Sequence, residues 1–88
     1  MKAQIETTIQ MPQGMQSAQV KAEMLGYFAA ILNAIQLAQN ERELRHYMNN
    51  VLLIDKTYFE FGFGGSHMWV HQVIDGQTQP NRLIFVQF

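Results

Sequence analysis

The chain has 88 residues, six Lys and Arg against seven Asp and Glu, a formal net charge of −1 and no cysteine. One domain over residues 1–88 is the expectation at this length, with about 60–65% of the unfolded surface buried and little margin in the core. Zero cysteine excludes disulfides, thiolate chemistry and cysteine-held zinc, and the scattered cations Lys2, Lys21, Arg42, Arg45, Lys56 and Arg82 form no run that could neutralise several phosphates, which argues against duplex DNA as a partner.

Residues 4–11 alternate, with Ile5, Thr7, Ile9 and Met11 on one face and Gln4, Glu6, Thr8 and Gln10 on the other, which predicts a half-exposed strand. The first ten residues, MKAQIETTIQ, lack the apolar core of a signal peptide. Pro12, Gln13 and Gly14 break the pattern, and Ser17 is a suitable N-cap for a helix that follows. At about 100° per residue, Val20, Met24, Tyr27, Phe28, Ile31, Leu32 and Ile35 share one arc with Leu25 at its edge, the expected core face. The longest uncharged, mostly apolar stretch, Met24 to Ala38, contains Gly26, Asn33 and Gln36 and is too short to cross a bilayer. The expectation is therefore a soluble, cytoplasmic protein.

Asn40 followed by Glu43 resembles the cap of a new helix. That second helix is expected over roughly 41–49, with Leu44, Tyr47 and Met48 on one side and Asn49-Asn50 ending it; one continuous bent helix is the alternative. From residue 51 the period switches to two. Val51 to Ile54 is a short apolar run, Asp55-Lys56 a candidate turn, and Tyr58 to Phe63 an alternating strand. Gly64-Gly65 reads as a two-residue hairpin turn. His67 to Ile74 is the return strand, Asp75-Gly76 the next turn, Pro80-Asn81 the close of a polar loop, and Arg82 to Phe88 the last strand. That strand is apolar and uncharged after Arg82, so it belongs inside the sheet or against another chain. The order predicts an α+β fold: an N-terminal strand, a long apolar helix plus a short second helix, then an antiparallel β-meander packed on the helices.

Two surfaces stand out. Ala18, Ala22, Gly26, Ala30, Ala34 and Ala38 recur every four residues along the back of the long helix, with Ala29 beside them. Small side chains in such a row allow close approach of another backbone, either the chain's own second helix or a second protein. Ala22, Gly26, Ala30 and Ala34 are the candidate contact face. Gly26 costs about 1 kcal/mol relative to alanine in mid-helix and so needs a local reason.

The second surface follows from the hairpin. A turn at Gly64-Gly65 sets Phe63 opposite Ser66, Phe61 opposite Met68 and Phe59 opposite Val70, one apolar face. The other face then carries Tyr58, Glu60, His67, Trp69 and His71, a mixture of aromatic anchors and polar neighbours suited to binding a protein. Cross-strand aromatic pairs that merely stabilise an exposed sheet are the competing explanation. On a strand, His67 and His71 lie about 13 Å apart and cannot share a metal. Gly62 to Ser66 leads into a strand, not a helix N-terminus, so it is no phosphate loop. Neither Ser17 nor Ser66 sits in a nucleophile context.

The sequence calls for no cofactor, no metal and no catalytic group. It fits a non-enzymatic protein–protein interaction module acting on a protein partner or as a homodimer. A chain of this size suits an accessory factor of a phage or mobile element, such as an inhibitor of a host complex. Single-stranded nucleic acid stacked on Tyr58 and Trp69, with Lys56 and Arg82 at phosphate, is a second reading. A small enzyme using Glu60 with a histidine is the third.

Overall fold

The computed structural model describes residues 1–11, 18–52 and 58–88. Its elements are β1 (Lys2–Ile5), α1 (Ala18–Leu37), α2 (Glu41–Leu52), β2 (Phe59–Gly64), β3 (His67–Ile74) and β4 (Gln77–Gln87). A strand, two helices and a meander make the α+β architecture that the change of period predicts. They gather into two compact units, one of strands and one of helices. The break at 12–14, the Ser17 cap, Ile54 and the Asp55-Lys56 turn lie outside the described residues.

In the helical unit, α1 and α2 are separate helices that pack together, so the bent-helix alternative is set aside. The cap at the start of α2 explains the break. Asn40 Oδ1 accepts from Glu43 N–H at 2.9 Å, and Glu43 Oε1 accepts from Gln39 N–H at 2.9 Å, so one orphan donor of the helix end and the N–H of the residue before the cap are both satisfied. The helix does not stop at Asn49-Asn50, as the sequence suggests, but runs to Leu52. Asn50 Nδ2 donates to the His46 carbonyl one turn back, at 3.0 Å, so this side chain bonds within the helix instead of ending it. Val51 and Leu52 therefore belong to α2 and do not open a strand.

The buried stripe of α1 is Met24, Ile31, Ala34 and Ile35, continued by Ala38, while α2 buries Leu44 and Met48 completely. Val20, Tyr27, Phe28 and Leu32 are half-buried, and Leu25 is exposed. The stripe thus takes one side of the expected arc together with the C-terminal part of the alanine row. No helix among the described residues is long and apolar enough to cross a membrane.

The sheet is antiparallel in the order β1-β4-β3-β2. Phe59, Met68, Val70, Ile84 and Val86 are buried on one face. Leu83 is buried too. The ladder partner of Val70 is Ile84 and that of His71 is Arg82, so Leu83 is an extra residue in β4, and such a bulge lets two consecutive residues turn inward. Gln72, also on the buried face, is satisfied by a two-point amide pair: its Oε1 accepts from Gln10 N–H at 2.9 Å and its Nε2 donates to the Gln10 carbonyl.

Three expectations about the sheet also need correcting. The first strand is Lys2–Ile5, not 4–11, and every residue in it is exposed. Beyond it the ladder with β4 meets the Leu83 bulge, and Glu6 N–H, donating to the Leu83 carbonyl at 2.8 Å, continues it by one bond. The hairpin turn is Gly65-Ser66, not Gly64-Gly65. Gly65 supplies the positive φ (57°) at the first turn position, where glycine is favoured. Finally, Pro80-Asn81 lies within β4 and not in a loop. The ladder jumps from Arg82 opposite His71 to Thr78 opposite Val73, and this irregular stretch accommodates a proline that cannot donate.

Asp75-Gly76 forms the turn expected of it, with φ of 52° and 76°, the pair of left-handed residues that a two-residue hairpin favours. Gly26, by contrast, is helical, and a Cβ built on it meets nothing within 4 Å. Gly26→Ala is therefore expected to stabilise the protein by about 0.5–1 kcal/mol, and Gly76→Ala to destabilise it by about 1 kcal/mol or more through φ strain. Thermal or denaturant unfolding of the two variants checks both signs.

Candidate functional site

The site begins with the hairpin register. Glu60 stands opposite His71, Gly62 opposite Trp69 and Gly64 opposite His67, while Phe59, Phe61 and Phe63 oppose Gln72, Val70 and Met68. Moving the turn by one residue changes each partner by two positions. Since side chains alternate with period two, the faces are unchanged. Glu60, His67, Trp69 and His71 therefore share a face. Tyr58 immediately precedes β2, half-buried, its carbonyl accepting from Val73 N–H at 2.8 Å.

The two glycines of β2 give this face its shape. A Cβ at Gly62 would lie 2.8 Å from Trp69 Cε2 and Cζ2, and one at Gly64 would lie 3.1 Å from its Cη2. The half-buried indole thus rests on a strip of bare backbone, which shields the glycine-rich strand. With the indole turned toward β2, the cross-strand neighbour Phe85 is left to other partners. The ring of His67 meets it edge-on at 5.2 Å, and the Arg82 guanidinium lies over it at 4.0 Å. His67 Nδ1 is buried with no hydrogen-bond partner among the described residues.

Arg82 is held from the other side by the segment that follows β1. Its Nη2 reaches Glu6 Oε1 at 2.8 Å, and Thr7 Oγ1 donates to the Arg82 carbonyl at 3.1 Å. His71 is oriented by its own strand pair: Nδ1–H donates to the Gln79 carbonyl at 2.8 Å. A carbonyl can only accept, so in the neutral ring Nε2 is left as an acceptor. Glu6, Thr7, Trp69, His71, Pro80, Asn81 and Arg82 line one open cleft of about 620 Å³. Its charges are one carboxylate and one guanidinium already paired, its wall is an indole, and its irregular rim is made by Pro80 and Asn81. Such a cleft can grip a partner side chain by contact and hydrogen bonding.

Sequence reasoning named Trp69, His71 and Arg82 but missed Glu6, Thr7, Pro80 and Asn81. Glu6 and Arg82 are 76 positions apart, and nothing local in either segment signals that they meet. Glu60 is on the same face but does not line the cleft; its carboxylate accepts from the Thr78 hydroxyl. Lys56 lies outside the described residues. On the helices, Ala22 and Gly26 are exposed, Ala30 is half-buried and Ala34 buried, and a shallow depression of about 310 Å³ beside Glu23 and Tyr27 lies along the small-residue row. No cluster of three or more His, Asp or Glu among the described residues could hold a metal.

Gly62→Ala puts a methyl group where the indole lies. It is expected to lift Trp69 off β2, shifting its fluorescence emission and costing about 1–3 kcal/mol. An unchanged spectrum and unchanged stability would show that the ring does not rest there.

A family model described as Domain of unknown function (DUF8466) matches residues 1–86, so the chain belongs to that family. No curated protein and no solved structure matches it.

Proposed function

We propose that this member of the family is a non-enzymatic protein–protein interaction module that binds its partner through the sheet face around Trp69. The observation that carries the reading is the cleft itself: a half-buried indole beside an ordered histidine and a paired Arg82–Glu6 rim. Aromatic and arginine side chains that combine an apolar body with a polar end are the usual anchors of protein interfaces. Here Trp69 and Arg82 are both held in place before any partner arrives, Trp69 by the glycines and Arg82 by Glu6 and Phe85. Preorganisation of this kind lowers the ordering cost of association.

The rival readings draw less support from the same geometry. Arg82, the cation that would meet phosphate, is already neutralised by Glu6. Glu60, the carboxylate that would serve as acid or base, is engaged by Thr78 and lies outside the cleft. A chain of 88 residues acting this way suits a cytoplasmic accessory factor of a phage or mobile element that inhibits or modulates a larger host assembly.

Quantitative affinity capture from native cells, using wild type, Trp69→Ala and His71→Ala as baits beside the exposed-helix control Gln36→Ala, tests the reading. Proteins retained by wild type and control but reduced about tenfold or more by both site variants are expected. If every captured protein is retained equally by all four folded baits, the sheet face is not the binding surface. Quenching of Trp69 by oligonucleotide that vanishes at high salt would instead favour nucleic acid.

A further inference from the structure

We propose that the outer edge of β1 is a self-pairing surface whose occupant is a second copy of this chain. The proposal does not rest on the role given to the cleft, although Glu6, which Arg82 holds, belongs to both surfaces. β1 is an edge strand, all its residues are exposed, and Ile5 leaves 62% of its surface uncovered. An edge of this kind is a template for another strand unless something blocks it. Neither a proline nor a bulge interrupts β1.

The hydrogen-bond phase of β1 dictates how a second strand must dock. Glu6 N–H donates inward to the Leu83 carbonyl at 2.8 Å. In an antiparallel ladder, hydrogen-bonded and non-hydrogen-bonded positions alternate, so Gln4 and Lys2 also turn their backbone groups toward β4. Ala3 and Ile5 then point their N–H and C=O groups outward. An antiparallel copy must pair through those two residues. Setting Ala3 opposite Ile5 of the second copy, about a two-fold axis at Gln4, lets each exchange both bonds, four in all across the junction.

That register is also the one that the charges favour. Lys2 falls opposite Glu6 of the second copy, and the pair occurs twice by symmetry. Both are non-hydrogen-bonded positions, where facing side chains come closest. Gln4 faces its own counterpart, and the exposed Ile5 faces Ala3. A shift by two residues in either direction keeps the backbone phase but sets Lys2 against Gln4 or Thr8, and the ion pairs are lost. Lysine on an edge usually blunts it; here the matching carboxylate follows just after the strand, four residues on. Glu6 also lines the cleft, so in the pair Lys2 of the second copy stands at the cleft rim.

Sedimentation velocity of the full chain, from micromolar to millimolar concentration at low salt, tests the proposal. The expected result is a mass rising from 10.2 kDa toward twice that value. Ala3→Pro removes an outward N–H but no bond to β4, and proline is tolerated at such an edge position. It should leave a monomer with unchanged Trp69 emission and melting. Lys2→Glu and Glu6→Lys should each raise the dimer dissociation constant about tenfold or more. Mixed in equal amounts, the two variants restore opposite signs at both pairs and should recover the dimer. A wild-type monomer over the whole range, or a dimer that survives Ala3→Pro, would overturn the proposal. So would a failure of the mixture to recover while both variants melt as folded proteins; if Glu6→Lys does not fold, the Ala3→Pro result decides.

Discussion

An indole ring needs a floor without side chains if it is to lie along a sheet, and the sheet face around Trp69 depends on that requirement. Gly62 and Gly64 alternate along β2 on the face that Trp69 shares, so the indole occupies the space their missing Cβ atoms leave. The consequences spread across three strands. Because the ring turns toward β2, Phe85 on β4 is left for His67 and Arg82, and Arg82 over Phe85 comes within reach of Glu6 beyond β1. With a side chain at Gly62, the indole would have to stand up or swing toward the cleft, and the same residues would enclose less space. The glycines cost backbone entropy in a strand. Burial of the ring over them offsets part of that cost and supplies the cleft wall.

The exposed Arg82–Glu6 pair is better understood as positioning than as stability. Its side chains keep 43% and 30% of their surface accessible, and pairs this open contribute about 0–1 kcal/mol. Their value lies in what they join. Glu6 belongs to the segment after β1 and Arg82 to the stretch where β4 departs from regular pairing with β3. Thr7 adds a hydrogen bond to the Arg82 carbonyl, so the guanidinium is clamped between a ring below and a carboxylate beside it. A free arginine would pay rotamer entropy when a partner docks; this one has already paid most of it.

How much of this was legible depended on whether the information was local. The Asn40/Glu43 cap, the Asp75-Gly76 turn and the β3 boundaries are decided by neighbouring residues, and each stands where the pattern puts it. The face carrying Glu60, His67, Trp69 and His71 was also readable, for a robust reason: the turn was placed one residue early, yet alternation is insensitive to an even change of register. What escaped was long-range or compensated. Nothing near Gln72 says that its amide will clamp Gln10, and nothing near Pro80 says that β4 will bulge around it. Asn50 looked like a helix stop because asparagine competes for backbone bonds; it makes that bond inside the helix, one turn back. In Gly64-Gly65 the sequence suggested a turn, but Gly64 serves the indole and Gly65 alone serves the turn.

The same thin use of charge shapes both surfaces. Only 15% of the residues are charged, and eleven glutamines supply much of the polar exterior. A neutral amide is cheaper to desolvate than a carboxylate or an ammonium, so such a surface gives up its water readily but attracts nothing from a distance. At the cleft the single cation and anion already neutralise one another, leaving recognition to shape, the indole and directional hydrogen bonds. In the proposed self-pairing register the two charges are separated along the chain, Lys2 in β1 and Glu6 just after it, so they would discriminate between registers instead of adding bulk attraction. Salt separates the two cases physically. Screening would act on Lys2 to Glu6 contacts between copies in the proposed pair, whereas contacts that Trp69 would make with a partner depend on excluding water and are almost indifferent to it. Glu6 belongs to both surfaces, so in the proposed pair Lys2 of the second copy would meet a carboxylate that Arg82 already holds, and the salt sensitivity of pairing would be read on that one shared group.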